Sequence, residues 1–139
     1  MPWWKQFSLI LGVALLGAAV GAALNERPQP QTAESDPYAI TSEAVRLLPT
    51  FIWVDARGAD TFAEEHLESA INISLDNWDA GFFELIEVWE PGMTIVTYCD
   101  GETCSLSKEV AERLREELGD DQVFWLEGGI STWRGSDSK

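Results

Sequence analysis

The sequence predicts an open α/β fold, in which helices cover both faces of a largely parallel β-sheet. Short apolar runs alternate with stretches of helical period from about residue 38 onward. The clearest runs are continuously apolar, as is typical of strands buried on both faces of a parallel sheet. Polar turns follow them directly. The expected strands are 51–54, 70–73, 93–98 and 123–126, and the expected helices are 44–48, 61–67, 76–89, 105–118 and 130–133.

The first half of this domain alternates short helices with short strands. Thr41 and Ser42 are candidate caps for a two-turn helix that Pro49 ends. The run at 51–54 is rich in β-formers and ends in a polar turn. A short acidic helix and a brief strand follow.

The second half contains the most periodic helix of the chain. After an aromatic-rich helical stretch at 76–89, the strand at 93–98 leads into a polar loop. The helix after this loop has one apolar face and one charged face, and Gly119 lies where a helix end favours a left-handed residue. The apolar face is expected to consist of Leu106, Val110, Ala111, Leu114 and Leu118.

The first 24 residues predict a hydrophobic helix that crosses or enters a membrane. Residues 7–24 carry no charge, Lys5 precedes them, and Trp3 and Trp4 suit the headgroup level. This favours a transmembrane anchor, with a cleaved signal segment as the alternative. The positive end stays inside, so the folded domain is expected on the periplasmic side, anchored or secreted after cleavage. Residues 25–37 contain three prolines and no apolar period, which predicts a flexible linker.

The charge of the chain argues against one class of partner. It has 24 acidic and 9 basic residues, for a formal net charge of -15. Such a surface repels nucleic acid, so no nucleic-acid partner is expected. With two cysteines and one histidine, no cluster has metal-ligand spacing, and we expect no metal and no cofactor.

Both cysteines lie in one loop between a strand and a helix, Cys99-Asp100-Gly101-Glu102-Thr103-Cys104-Ser105. A loop that opens a helix directs backbone N–H groups toward one point. These groups and the positive helix end favour a thiolate at Cys99, which indicates a nucleophile. Small-residue packing and a structural disulfide remain as alternatives.

Four segments, in this order and spacing, resemble the rhodanese domain of the single-domain sulfurtransferase type. They are VDAR at 54–57, EHLESAINI at 65–73, YCDGETCS at 98–105 and LEGGISTW at 126–133. The resemblance implies a rhodanese-like open five-stranded parallel sheet over 38–135, preceded here by the N-terminal hydrophobic helix. It also implies a catalytic Cys99 that takes sulfur from a sulfane-sulfur donor as a persulfide and passes it to a thiol acceptor.

The loop departs from the family pattern at one position. Where the family usually carries arginine, this sequence has Cys104, and Asp100 and Glu102 add negative charge. Two carboxylates at this place are expected to repel a dianionic donor such as thiosulfate.

Several residues outside the loop are expected to have structural roles. We expect Asp55 and Arg57 to form an ion pair that fixes a turn, and Gly128 and Gly129 to bring backbone close to the loop. His66 is interpreted as a capping or turn residue.

Three functions remain open from the sequence. The first is a membrane-tethered, extracytoplasmic sulfurtransferase. The second is a thiol–disulfide or redox-sensing domain in which Cys104 is the resolving thiol for Cys99. The third is a non-catalytic rhodanese fold used as an interaction module.

Overall fold

The computed structural model describes residues 36–101 and 105–135 of the chain. The expected N-terminal helix at 1–24, most of the linker at 25–37, and the loop residues Glu102, Thr103 and Cys104 lie outside these ranges. Within the described ranges, no helix combines the length and hydropathy needed to span a bilayer.

Strands and helices alternate along the whole of the described domain. The strands are β1 Ala39–Ile40, β2 Ile52–Asp55, β3 Ile71–Asn72, β4 Ile95–Tyr98 and β5 Val123–Leu126. The helices are α1 Ser42–Arg46, α2 Ala59–Glu64, α3 Trp78–Val88, α4 Leu106–Leu118 and α5 Gly129–Gly135.

The five strands form one parallel sheet in the order β1-β5-β4-β2-β3, with β4 at its centre. The expected five-stranded parallel sheet is therefore confirmed. In the register of the two central strands, Asp55 of β2 is opposite Tyr98 of β4. The residues that follow these two positions consequently emerge side by side at the carboxyl edge of the sheet.

Apolar side chains from the sheet pack into two separate cores, one on each face. Neighbouring residues of β2 take opposite sides, because successive side chains of a strand alternate. Val54 joins the core under α3 and α4, whereas Trp53 joins the core under α1 and α5. Helices on both faces, expected from the alternating pattern, are confirmed.

Two helix ends follow the chemistry that their sequences indicate. The Thr41 hydroxyl accepts a hydrogen bond from Ala44 N at 3.2 Å, which caps α1. Gly119 ends α4 with φ of 63°, in the left-handed conformation expected of it. The Gly119 cap fixes where α4 stops and where the chain turns back toward β5.

Candidate functional site

Cys99 is the first residue after the central strand, and it lies at the carboxyl edge of the sheet. It is 1% exposed, between the end of β4 and the start of α4. Its carbonyl oxygen accepts a hydrogen bond from Ile130 N at 2.8 Å, in the first turn of α5. Strand and helix thus hold the backbone of Cys99 from two sides.

The sulfur of Cys99 is oxidised in this structure. Cys99 is disulfide-bonded, and no cysteine among the described residues is free. Cys104 is the other cysteine of the sequence, and it lies outside the described residues. The pairing of the two cysteines stays a prediction.

Gly129 lets α5 approach the cysteine loop more closely than any other residue could. Its φ is 65°, and a Cβ there would lie 2.5 Å from Cys99 O and 2.8 Å from Gly101 N. A side chain at this position would push the loop away and strain the turn. The Gly128–Gly129 turn therefore contacts the loop directly.

A buried serine, which the sequence analysis did not single out, faces the sulfur. Ser107 Oγ lies 3.5 Å from Cys99 Sγ. The buried face of α4 differs from the predicted one at this end, because Leu106 is exposed and Ser107 is buried. The sequence carries a signal for this placement. Ser107 lies three residues before Val110 and four before Ala111, and residues at these spacings lie on one face of a helix.

Asp55 and Arg57 form a buried ion pair at the end of β2. Arg57 Nη2 donates to Asp55 Oδ2 at 2.7 Å, and Arg57 Nε donates to Asp55 Oδ1 at 3.0 Å. Asp55 Oδ1 also accepts from Arg57 N at 2.9 Å, which closes the turn. The hydrogen bond to Asp55 raises the pKa of Arg57 further above its usual range. The guanidinium therefore carries a permanent charge beside the cysteine loop.

The same guanidinium reaches two other segments. Arg57 Nη1 donates to Asp100 Oδ1 at 3.1 Å, and Arg57 Nη2 donates to Glu65 O at 2.7 Å. The Asp100 side chain is largely exposed. Arg57 therefore offsets part of the Asp100 charge and weakens its repulsion of an anionic donor, although the same guanidinium also pairs with Asp55.

Tyr98 ties the residue before the cysteine to the chain after α2. The residue is fully buried, and its hydroxyl accepts a hydrogen bond from Leu67 N at 3.1 Å. Burial raises the pKa of Tyr98 above its usual value. Tyr98 consequently stays protonated at neutral pH and serves as an anchor.

His66 lies just after α2 and contacts the last turn of that helix. Its Nδ1 lies 2.7 Å from Phe62 O, and its ring stacks on Phe62 with centroids 3.9 Å apart. Both contacts are to the preceding helical turn, and the ring is exposed. Across the described ranges, no group of three or more acidic, cysteine or histidine residues is arranged to hold a metal ion.

These observations define the class of protein: an α/β domain whose central strand ends at a buried cysteine in a loop that opens a helix. A family model for the rhodanese-like domain matches residues 41–136. The chain belongs to the rhodanese-like domain family.

Solved structures of bacterial proteins share this fold. A Bacillus halodurans protein is 26% identical with a TM-score of 0.59, over 72% of this chain and 73% of its own. A Helicobacter pylori protein is 28% identical with a TM-score of 0.52, and the match covers 70% of this chain and 83% of the Helicobacter chain. The rhodanese-like domain of an Anabaena protein is 21% identical with a TM-score of 0.55, and the match covers 73% of this chain and 76% of the Anabaena chain. No curated protein matches the chain.

Proposed function

We propose that this chain is a membrane-tethered, extracytoplasmic sulfurtransferase that carries sulfane sulfur as a Cys99 persulfide. The observation that carries the proposal is the position of Cys99 at the carboxyl end of the central strand, immediately before the loop that opens α4. Open α/β sheets place their reactive sites at this edge. The backbone there is fixed by Ile130 and Gly129, so the sulfur has a defined position.

The chemistry runs through two displacements at sulfur. The Cys99 thiolate attacks the outer sulfur of the donor, a new S–S bond forms, and the donor leaves with the electron pair of the broken bond. An acceptor thiolate then attacks the outer sulfur of the persulfide, and the electron pair returns to Cys99. No net oxidant is consumed, and each turnover starts from the reduced thiol.

The test is the intact mass of the full-length protein after reduction, removal of the reductant, and incubation with a sulfane-sulfur donor. Persulfide formation adds about 32 Da, the mass of one sulfur atom. Return to the starting mass on addition of a thiol acceptor supports transfer. A mass that never changes refutes the proposal and favours the interaction module.

A redox role is the second candidate, because Cys99 is disulfide-bonded in the structure. In that case the reduced protein loses about 2 Da on mild oxidation and gains no sulfur. The sign of the mass change, a gain with a sulfane-sulfur donor or a loss on mild oxidation, therefore distinguishes the two functions.

The membrane location is part of the proposal and has its own test. The uncharged run at 7–24 with Lys5 before it predicts that the full-length protein sediments with membranes. We expect external protease to remove the domain from spheroplasts whose cytoplasmic marker remains intact. Recovery of the full-length protein in the cytoplasmic fraction, protected from protease, would contradict this.

The charge of Asp100 is predicted to limit anionic donors. Asp100→Asn keeps an oxygen that can accept from Arg57, but it removes one of the two carboxylate charges that face the guanidinium and leaves Asp55 as the remaining one. The rate with thiosulfate should rise roughly two- to fivefold at low ionic strength, since an exposed pair is worth up to ~1 kcal/mol. The gain should fall as salt is added.

The matched control is Glu116→Gln, which removes one exposed charge in the last turns of α4. It should leave the thiosulfate rate near that of the parent. Equal rates for parent and Asp100→Asn would show that this carboxylate does not select the donor.

A further inference from the structure

The hydroxyl of Ser107 is a buried polar group that lies directly against the sulfur of Cys99. Both residues are 1% exposed, and Ser107 Oγ lies 3.5 Å from Cys99 Sγ. Contacts from a hydroxyl to sulfur are longer than those to oxygen because the sulfur atom is larger. A buried hydroxyl is retained at low cost only where it has a partner.

The backbone of Ser107 is also bonded to the central strand. Thr97 Oγ1 donates to Ser107 O at 2.6 Å, and Thr97 is fully buried in β4. Thr97 lies in β4, two residues before Cys99, which directly follows that strand. The strand that leads into Cys99 therefore also holds the backbone that carries the hydroxyl.

We infer that Ser107 donates a hydrogen bond to Cys99 Sγ and stabilises it as a thiolate. The inference rests on the proposed sulfur transfer, in which this thiolate occurs twice. It attacks the outer sulfur of the donor, and it is regenerated when the acceptor takes that sulfur and the electron pair returns to Sγ. Ser107 keeps its proton in both steps and exchanges none with the substrate.

The stabilisation is needed because the sulfur is buried. Burial disfavours a charged thiolate, and a hydrogen bond to the charged form offsets part of that cost. Arg57, Asp55 and Asp100 are charged groups that the described residues place around this end of β4. A substitution at Ser107 changes none of them, so its effect on ionisation reports the hydroxyl itself.

The experiment compares Ser107→Ala with its parent in full-length protein that also carries Cys104→Ala. Cys99 is then the only thiol of the chain. Thiolate formation is followed by ultraviolet absorbance across pH, after subtraction of the Cys99→Ser protein. This titration requires no reagent to enter the buried site and no sulfur donor. It therefore decides the inference even if the parent fails to form a persulfide, which would refute the proposed function separately.

We expect Ser107→Ala to raise the midpoint of the titration by about one to two pH units, the equivalent of a hydrogen bond to a charged group. Persulfide formation at a fixed pH below that midpoint should slow about three- to tenfold. Ser107→Thr, which keeps a hydroxyl, should restore most of the shift.

Ser42→Ala is the matched control, since Ser42 is also a buried serine in the first turn of a helix. It should leave the midpoint unchanged. An unchanged midpoint in Ser107→Ala overturns the inference and makes Ser107 a packing residue. An equal shift in both variants also overturns it, because a general loss of packing would then be the cause.

Discussion

Replacing Cys99 with serine is expected to abolish the mass gain of about 32 Da and to lower sulfur transfer at least about a thousandfold. Losses of this size follow the removal of a covalent nucleophile. Serine is slightly smaller than cysteine and fits the same buried site, so the domain should remain folded. Intact mass and transfer rate with one donor measure the effect.

Cys104→Ala is the matched control for this prediction. It removes the other thiol of the chain and leaves the Cys99 sulfur in place. The variant should gain the same mass as the parent. If Cys99→Ser gains sulfur and Cys104→Ala does not, the nucleophile has been assigned to the wrong cysteine.

Arg57→Met is expected to lower the free energy of unfolding by about 3–5 kcal/mol, the typical cost of leaving one partner of a buried ion pair alone. Asp55 is fully buried, and Arg57 is 6% exposed. Methionine fills much of the volume but leaves the Asp55 carboxylate without its counter-charge. Since small domains are stable by about 5–15 kcal/mol, a loss of this size is large. Urea unfolding followed by tryptophan fluorescence measures it.

Arg134→Met provides the control for this loss. Arg134 forms an ion pair with Glu65 at 2.8 Å, but both side chains are well exposed. Its replacement should cost less than about 1 kcal/mol. Adding Asp55→Asn to Arg57→Met should cost less than the sum of the single changes, because it removes the stranded charge. A loss for Arg57→Met as small as that of the control would show that the buried pair contributes little.

The alternation of elements and the position of the cysteine loop were predictable because they depend on local patterns. Continuous apolar runs predicted β2, β4 and β5, the helical period predicted α4, and Gly119 predicted where α4 ends. β1 was not predictable from its pattern. It has two residues, Ala39–Ile40, and it exists as a strand only because it pairs with β5.

The sequence alone determined that a cysteine follows the central strand and that a helix follows the cysteine, because both features depend on neighbouring residues. Only the tertiary structure decided what surrounds the sulfur. Arg57 and Asp100 are 43 positions apart, and their contact depends on the pairing of β2 with β4. Adjacent helix positions differ by about 100° in direction, so either Leu106 or Ser107 could have faced inward. The packing of α4 against the sheet turns Ser107 inward, and its hydroxyl therefore lies against the sulfur.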